Sequence, residues 1–273
     1  MNEGHVIQRT ETPATLQSLK DDLHQLGLQP GMVVLVHSSL SALGWVCGGA
    51  VTVILALEEV LGSTGTLVMP THSADLTEPS KWTGPPVPAS WCETIRETMP
   101  AYDPDLTPTR GMGTIPEIFR KQRGVSRSLH PQSSFSAWGR HAEQIIQDHA
   151  LEDGLGNGSP LARIYDLDGW VLLLGVGHDS NTSLHLAEYR TSVPAKKVIQ
   201  EGAPIFVDGV RTWKIFDDTV IDESDFEDIG AAFIEDGGGV ALRRGKVGLA
   251  DCQLIAQRNL VDFAIGWIES NRV

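Results

Sequence analysis

Apolar and polar positions alternate along this chain in blocks that read as helices and buried strands in turn. Leu16, Leu19, Leu23 and Leu26 recur at helical spacing over residues 13–27 and predict an amphipathic helix ending at Gly27, with Pro30-Gly31 beyond it. Residues 32–36 form an unbroken apolar run, as in a strand buried on both faces, and it delivers His37, Ser38 and Ser39 at its end. After a loop over residues 41–49, residues 50–61 predict a Val/Leu/Ala-rich helix closed by Gly62, and residues 66–69 a second strand ending at Pro70-Thr71-His72. Strand, helix and strand in this order suggest a right-handed βαβ unit, which places ligand-facing groups at the carboxyl ends of its strands.

Seven prolines between residues 79 and 108 interrupt any regular element and predict a long excursion over residues 73–112. Beyond it the pattern predicts helices at 114–123 and 139–150, loop and turn over 151–168, and a strand at 170–174. Short strands joined by hairpin turns follow, at 206–210 and 212–216, and a final helix at 249–268. The expected fold is α/β: a mixed sheet core flanked by helices, with the Pro-rich excursion and a smaller C-terminal α+β portion. Residues 1–273 are expected to form one catalytic domain, with a sub-lobe at about 195–248.

The strand at 170–174 breaks at Gly175, and Asn181, Thr182 or Ser183 can cap a helix that follows. On that helix His185 and Glu188 stand three residues apart on one face. A carboxylate beside an imidazole fixes its tautomer and stabilises its protonated form, as a general base requires. A merely satisfied polar group and a metal site are the competing readings. The metal reading, a metal-dependent hydrolase, would use His178, Asp179, His185 and Glu188. No His-x-His or Cys-x-x-Cys spacing supports it, so no metal is expected.

Charge narrows the partners. Asp plus Glu number 35 against 21 Lys plus Arg, a formal net charge of −14. That argues against nucleic acid, whose binding depends on cationic contacts to phosphate, and suits a cationic small molecule. Nine acidic residues and no basic one fall between Asp217 and Asp236. Asp217, Asp218 and Asp179 are the expected contacts to the ammonium groups of that molecule. Apolar runs are too short to span a bilayer, the first residues lack a secretion-signal pattern, and three unpatterned cysteines fit a reducing setting. The expected location is cytoplasmic, with no membrane partner; a homodimer is left open.

Individually the remaining motifs are weak. Ser38-Ser39-Leu40 precedes a helix start, where free N–H groups hold anions, but it is neither a P-loop nor a dinucleotide fingerprint. Arg127 and His130, in Arg127-Ser128-Leu129-His130-Pro131-Gln132-Ser133-Ser134-Phe135, can meet a phosphate or can belong to an ordinary surface loop. Together the motifs say more. His37-Ser38-Ser39-Leu40, Met69-Pro70-Thr71, Pro85-Pro86-Val87-Pro88, residues 107–113 (Thr-Pro-Thr-Arg-Gly-Met-Gly), the 127–135 cluster and Asn181-Thr182-Ser183-Leu184-His185-Leu186-Ala187-Glu188 stand in the order and spacing of one family. Over roughly residues 10–270 the chain resembles the aminoglycoside 3-N-acetyltransferases, a family distinct from the common acetyltransferase superfold.

The resemblance implies an acetyl-CoA-dependent N-acetyltransferase that acts on the 3-amino group of the 2-deoxystreptamine ring of aminoglycosides. The same chemistry on an aminophosphonate or amino sugar is the alternative. It also implies that His37, Ser38, Ser39, Leu40, Gly111, Met112, Gly113, Arg127, His130, Ser133, Ser134 and Phe135 line the coenzyme site. His185 would be the base and Glu188 its partner or a substrate contact. Thr71, or the backbone of residues 111–113, would supply hydrogen bonds to the developing oxyanion.

Overall fold

The computed structural model describes residues 3–192, 197–236 and 238–272. Its strands are β1 (Val33–Ser38), β2 (Thr66–Pro70), β3 (Ser126–Arg127), β4 (Phe135–Gly139), β5 (Trp170–Leu174), β6 (Val198–Val207), β7 (Val210–Thr219), β8 (Leu242–Val247) and β9 (Ala250–Ala256). The helices of the first half are α1 (Glu3–Gln8), α2 (Leu16–Leu26), α3 (Gly49–Leu61), α4 (Cys92–Thr98) and α5 (Thr114–Phe119). Those of the second half are α6 (Ala142–Ile146), α7 (Pro160–Asp166), α8 (Ser183–Arg190), α9 (Phe226–Glu235) and α10 (Gln257–Asn271).

A mixed seven-stranded sheet in the order β3-β4-β2-β1-β5-β9-β8 forms the centre. Its three middle strands, β2, β1 and β5, are parallel, with Val34 opposite Leu67 on one side and Trp170 on the other. The outer pairs β4–β3 and β9–β8 run antiparallel to them. Helices cover both faces, which is why β1 is apolar from Val33 to Val36. Val34 and Val36 pack with Leu19 and Leu23 of α2 and Val53, Ile54 and Leu57 of α3. Val33 and Leu35 point the other way, into a cluster with Leu184 of α8, Ile229 of α9 and Leu260 and Val261 of α10. The β1-α3-β2 unit is the one expected from the sequence.

Four elements depart from expectation. The segment read as the start of a final helix at residue 249 is strand β9, and α10 begins only at Gln257. Ala250, Cys252 and Leu254 face one layer and the chain pairs with β5, so period-2 burial overrides a composition that also suits a helix. The stretch 151–168, expected as loop, holds α7, whose Ser159 hydroxyl caps it by accepting the Leu161 N–H at 3.2 Å and whose Pro160 sits in the first turn. The expected 139–150 helix is reduced to α6. Gly139 still belongs to strand β4, paired with β2, and the chain leaves the helix at Gln147, which is extended, and Asp148, which is left-handed at φ 48°. The acidic stretch 217–236 holds amphipathic α9, with Phe226, Ile229 and Phe233 turned inward.

Within 195–248, residues 195, 196 and 237 lie outside the described residues. The rest divides: β6 and β7 form a separate two-stranded sheet, whereas α9 packs on the core and β8 extends the main sheet. The hairpin turn sits at Asp208-Gly209, inside the expected 206–210 strand. Both residues are left-handed, φ 48° and 77°, the geometry of the tight turns that match strand twist. Residues 71–113, between β2 and α5, carry α4 and two single 3₁₀ turns. No helix among the described residues is long and apolar enough to cross a membrane.

Candidate active site

The three parallel strands end at one place, and each delivers polar groups there. β1 ends in His37 and Ser38, and β2 is followed by Thr71 and His72. β5 turns at Gly175 into the loop that carries Asp179 and leads to α8. Gly175 has φ +72°, and a Cβ on it would lie 2.5 Å from that of Ala42, so the turn excludes any side chain. The Asn181 side-chain oxygen accepts the Ser183 N–H at 3.2 Å and satisfies the first turn of α8.

Helix α8 is buried along Ser183–Tyr189 on every side, so its polar side chains need partners within the protein. His185 Nδ1 lies 2.6 Å from Glu188 Oε2. A carboxylate accepts only, so Nδ1 carries the hydrogen and Nε2 holds the lone pair, on a ring that lines the cleft. The ring also packs against Phe226, centroids 4.8 Å apart. Glu188 is 4% exposed and its other oxygen is taken: Oε1 accepts the Asp222 N–H at 3.0 Å and an Arg272 Nη1–H. Both oxygens being engaged inside the protein, Glu188 holds the imidazole and is not placed to meet a substrate.

His185 lines a cleft of ≈ 350 Å³ together with His37, His72, Ser133, Asp179 and Glu223. The other two imidazoles there stay neutral. Burial, reinforced by His185, lowers His37 to about 3. Burial, with His185 and His37 next, also lowers His72 to about 3. His37 Nε2 rests 3.4 Å from the Thr182 hydroxyl, and the buried His72 Nε2 has no hydrogen-bond partner among the described residues. His72 was not singled out in the sequence, although the strand-end rule that selects His37 applies equally to it.

A second cleft of ≈ 580 Å³ adjoins the first and shares Ser38, Gly111, Met112, Val176 and Ser180 with it. Ser39, Leu40 and Gly113 line it too, so of the residues singled out for a coenzyme 38–40 and 111–113 meet around this cleft, while His37 lines the first. The Ser38 hydroxyl at the junction is buried without a partner among the described residues. Ser38 also lines the cleft that holds His185, so this unpaired hydroxyl is open to a ligand spanning both spaces.

Other candidates stand behind the wall. Ser134 and Phe135 are fully buried, and Ser133 alone of that segment reaches the cleft. The Arg127 guanidinium spends its donors on the Pro104, Thr107 and Thr71 carbonyls and on Ser134 Oγ and Ser73 Oγ, bracing the excursion against β2. The His130 ring accepts the Gln132 and Ser133 N–H groups at Nδ1 and faces the Leu151 carbonyl with Nε2, and burial lowers it to about 4. It shapes the 130–134 turn. Thr71 is fully buried and donates to the Ser134 carbonyl at 3.2 Å.

Of the acidic candidates, Asp179 lines the cleft and is exposed. Asp218 is turned to the Tyr189 hydroxyl at 2.5 Å, with its carboxyl raised by burial, and Asp217 is exposed; neither is among the residues lining the two clefts. Glu223, from the same acidic stretch, lines the cleft instead. The four residues of the metal reading do not converge. His178 packs under Gly230, His185 and Glu188 are committed to each other, and no three ligating side chains meet among the described residues.

Comparison with known proteins bears on this arrangement directly. The family model for aminoglycoside 3-N-acetyltransferase matches residues 35–269. A Bacillus subtilis (strain 168) relative, the SPbeta prophage-derived aminoglycoside N(3')-acetyltransferase-like protein YokD, is 49% identical over 97% of this chain and 96% of its own. Its crystal structure superposes with a TM-score of 0.95 over 98% of each chain. Aminoglycoside N(3)-acetyltransferase VII of Streptomyces paromomycinus is 38% identical over 98% of this chain and 96% of its own. Two ligand-bound structures match at a TM-score of 0.84. AAC-IIIb, binary with CoASH, is 31% identical over 95% of this chain and 97% of its own. AAC-VIa, bound to sisomicin, is 29% identical over 95% and 98%. With the matched family model spanning every strand of the central sheet beyond the first residues of β1, and the buried His–Glu pair inside it, the chain belongs to the aminoglycoside 3-N-acetyltransferases and is an acyltransferase of that type.

Proposed function

We propose that this protein transfers the acetyl group of acetyl-CoA to the 3-amino group of an aminoglycoside, with His185 as general base. The observation that carries this reading is the His185–Glu188 pair, whose imidazole lines one of two clefts that adjoin at Ser38, Gly111 and Met112. The larger cleft is walled by residues 38–41 and 111–115; the one that holds His185 is edged by Asp179 and Glu223. The larger cleft suits the coenzyme, as the CoASH-bound relative supports, and the acidic one a polycationic acceptor, as the sisomicin-bound relative supports.

The chemistry follows from the proton inventory. An aliphatic amine reaches the site mostly as ammonium, and only its free base attacks a carbonyl. His185 Nε2 takes that proton, and Glu188, already accepting Nδ1–H, balances the imidazolium. The thioester supplies an activated acetyl carbonyl, so the amine displaces CoA in a ternary complex with no acyl-enzyme. Negative charge developing on the thioester oxygen needs fixed donors, each worth about 2.7–4 kcal/mol. The buried, unpaired Ser38 hydroxyl and the backbone of residues 111–113, which line the clefts, are the candidate donors. Thr71, with its hydroxyl turned inward to Ser134, is the weaker candidate.

The test is release of free CoA from acetyl-CoA across a panel of amines, with the product's acetylated nitrogen located by NMR. Turnover with 2-deoxystreptamine aminoglycosides and acetylation at N3 support the reading. Turnover confined to an aminophosphonate or a simple amino sugar overturns the acceptor while keeping the chemistry.

A further inference from the structure

The last described residue of the chain reaches the catalytic pair. Arg272, just beyond α10, donates from Nη1 to Glu188 Oε1, the oxygen opposite the one that holds His185. The same guanidinium is fixed from behind. Its Nε donates to Asp225 Oδ2 at 2.7 Å, its Nη2 pairs with Asp225 Oδ1, and Nη2 also donates to the Asp222 carbonyl at 2.6 Å. Asp222 in turn gives its own N–H to Glu188 Oε1 at 3.0 Å. The start of α9, the end of α10 and the buried middle of α8 are thus locked at one carboxylate.

We propose that Arg272 is a positioning residue for catalysis: it aims Glu188 at His185 and, as a fixed cation behind the pair, limits how tightly the pair holds a proton. This rests on the reading of His185 as the base. Removal of a positive charge raises the proton affinity of the pair whichever atom carries the proton. Asp225 and then Glu188 hold the guanidinium charged well above the ordinary arginine range, so the cation is permanent. Among the described residues, the other charged or titratable groups lining the cleft with His185 are His37 of β1, His72 after β2, Asp179 after β5 and Glu223 before α9. Both histidines are held neutral by burial, and the two carboxylates are exposed at the rim. Arg272 is therefore the cation of this cluster with a direct hydrogen bond to the pair.

The experiment compares kcat and kcat/KM against pH for wild type, Arg272→Gln and Arg272→Lys. In Arg272→Gln the acidic limb moves up by about one pH unit, and the rate at neutral pH falls about tenfold or more and recovers only in part at alkaline pH, because the forked geometry is lost with the charge. Arg272→Lys keeps the charge but not the forked geometry, so the limb stays near its wild-type place while kcat drops about three- to tenfold. The Glu188→Gln/Arg272→Gln double variant is no slower than Glu188→Gln alone, because Arg272 acts through Glu188. An unmoved limb in Arg272→Gln, or a full additional loss in the double variant, overturns the proposal. Should Arg272→Gln not fold, wild-type kcat in Arg272→Lys overturns it. If Glu188→Gln itself retains the wild-type rate, the reading of the dyad has failed, and the two failures are told apart.

Discussion

At the scale of single residues, burial separates roles that share a residue type. Three histidines line one cleft, yet His37 and His72 are lowered to about 3 by burial, whereas His185 has a carboxylate 2.6 Å away to share its proton. Neither His37 nor His72 changes charge above about pH 5, so replacing His37 by Asn should leave the rate profile there unchanged. The geometry also settles what Glu188→Gln does. Glu188 Oε1 faces two donors, Asp222 N–H and Arg272, so the carboxamide oxygen is drawn to that side and its NH₂ faces His185 Nδ1. The ring then takes the other tautomer and presents Nε2–H to the acceptor, which cannot accept a proton. Glu188→Gln should thus lower kcat by about 10²–10⁴-fold, with CoA affinity by calorimetry unchanged. A loss under threefold contradicts the orientation described.

At the scale of elements, the sequence was most informative where a strand or helix is strongly periodic. The β1-α3-β2 unit and the end of β5 are plain in the apolar runs, because strands buried on both faces have no polar positions. From them the strand-end residues His37 and Ser38 and the helix carrying His185 follow. The pattern failed where burial is one-sided or pairing is remote. The 249–256 stretch becomes strand only because β5 offers an edge, and α7 is too short to show a period. Arg127 and His130 carry the residue types of a phosphate site, but only tertiary contacts reveal that their donors and lone pairs are taken. Arg272 was invisible for the same reason, since its partners lie 84 and 47 residues away. The strand assignment is open to test. Leu254→Ala, at a fully buried β9 position, should cost about 2–5 kcal/mol in urea unfolding. Leu249→Ala, 42% exposed in the preceding turn, should cost well under 1 kcal/mol. Equal costs at both positions contradict the register.

For the whole molecule, charge acts on the acceptor and on stability in separate ways. The formal charge of −14 attracts a polycation, but only Asp179 and Glu223 of the proposed or neighbouring acidic residues stand at the cleft edge. Asp179→Asn and Glu223→Gln should each raise acceptor KM about three- to tenfold, more at low ionic strength, as expected for exposed pairs. Asp217→Asn should leave KM unchanged; a larger effect there than at Asp179 would move the acceptor elsewhere. Acid stability follows from the buried imidazoles. His37, His72 and His130 are lowered to about 3, 3 and 4 by burial, and His149 also lies well below its ordinary range for the same reason. In the unfolded chain they titrate near about 6.5, so below that pH the unfolded state binds protons the folded state declines. Stability is complete above about 6.5 and falls as pH drops through that range towards the folded values, so the melting temperature should be clearly lower at pH 5 than at pH 7.5. An unchanged Tm would contradict four neutral buried imidazoles.

One measurement bears on the whole account most directly: the steady-state rate of CoA release by His185→Ala with an aminoglycoside acceptor, read beside calorimetric CoA binding to the same variant. The structure puts His185 in the cleft edged by Asp179 and Glu223, with Nδ1 tied to Glu188 and Nε2 left to accept a proton. The account predicts a kcat lower by about 10²–10⁴-fold with CoA affinity near that of wild type. A variant that binds CoA normally and acetylates the aminoglycoside at the wild-type rate would contradict it and remove His185 from the proton path.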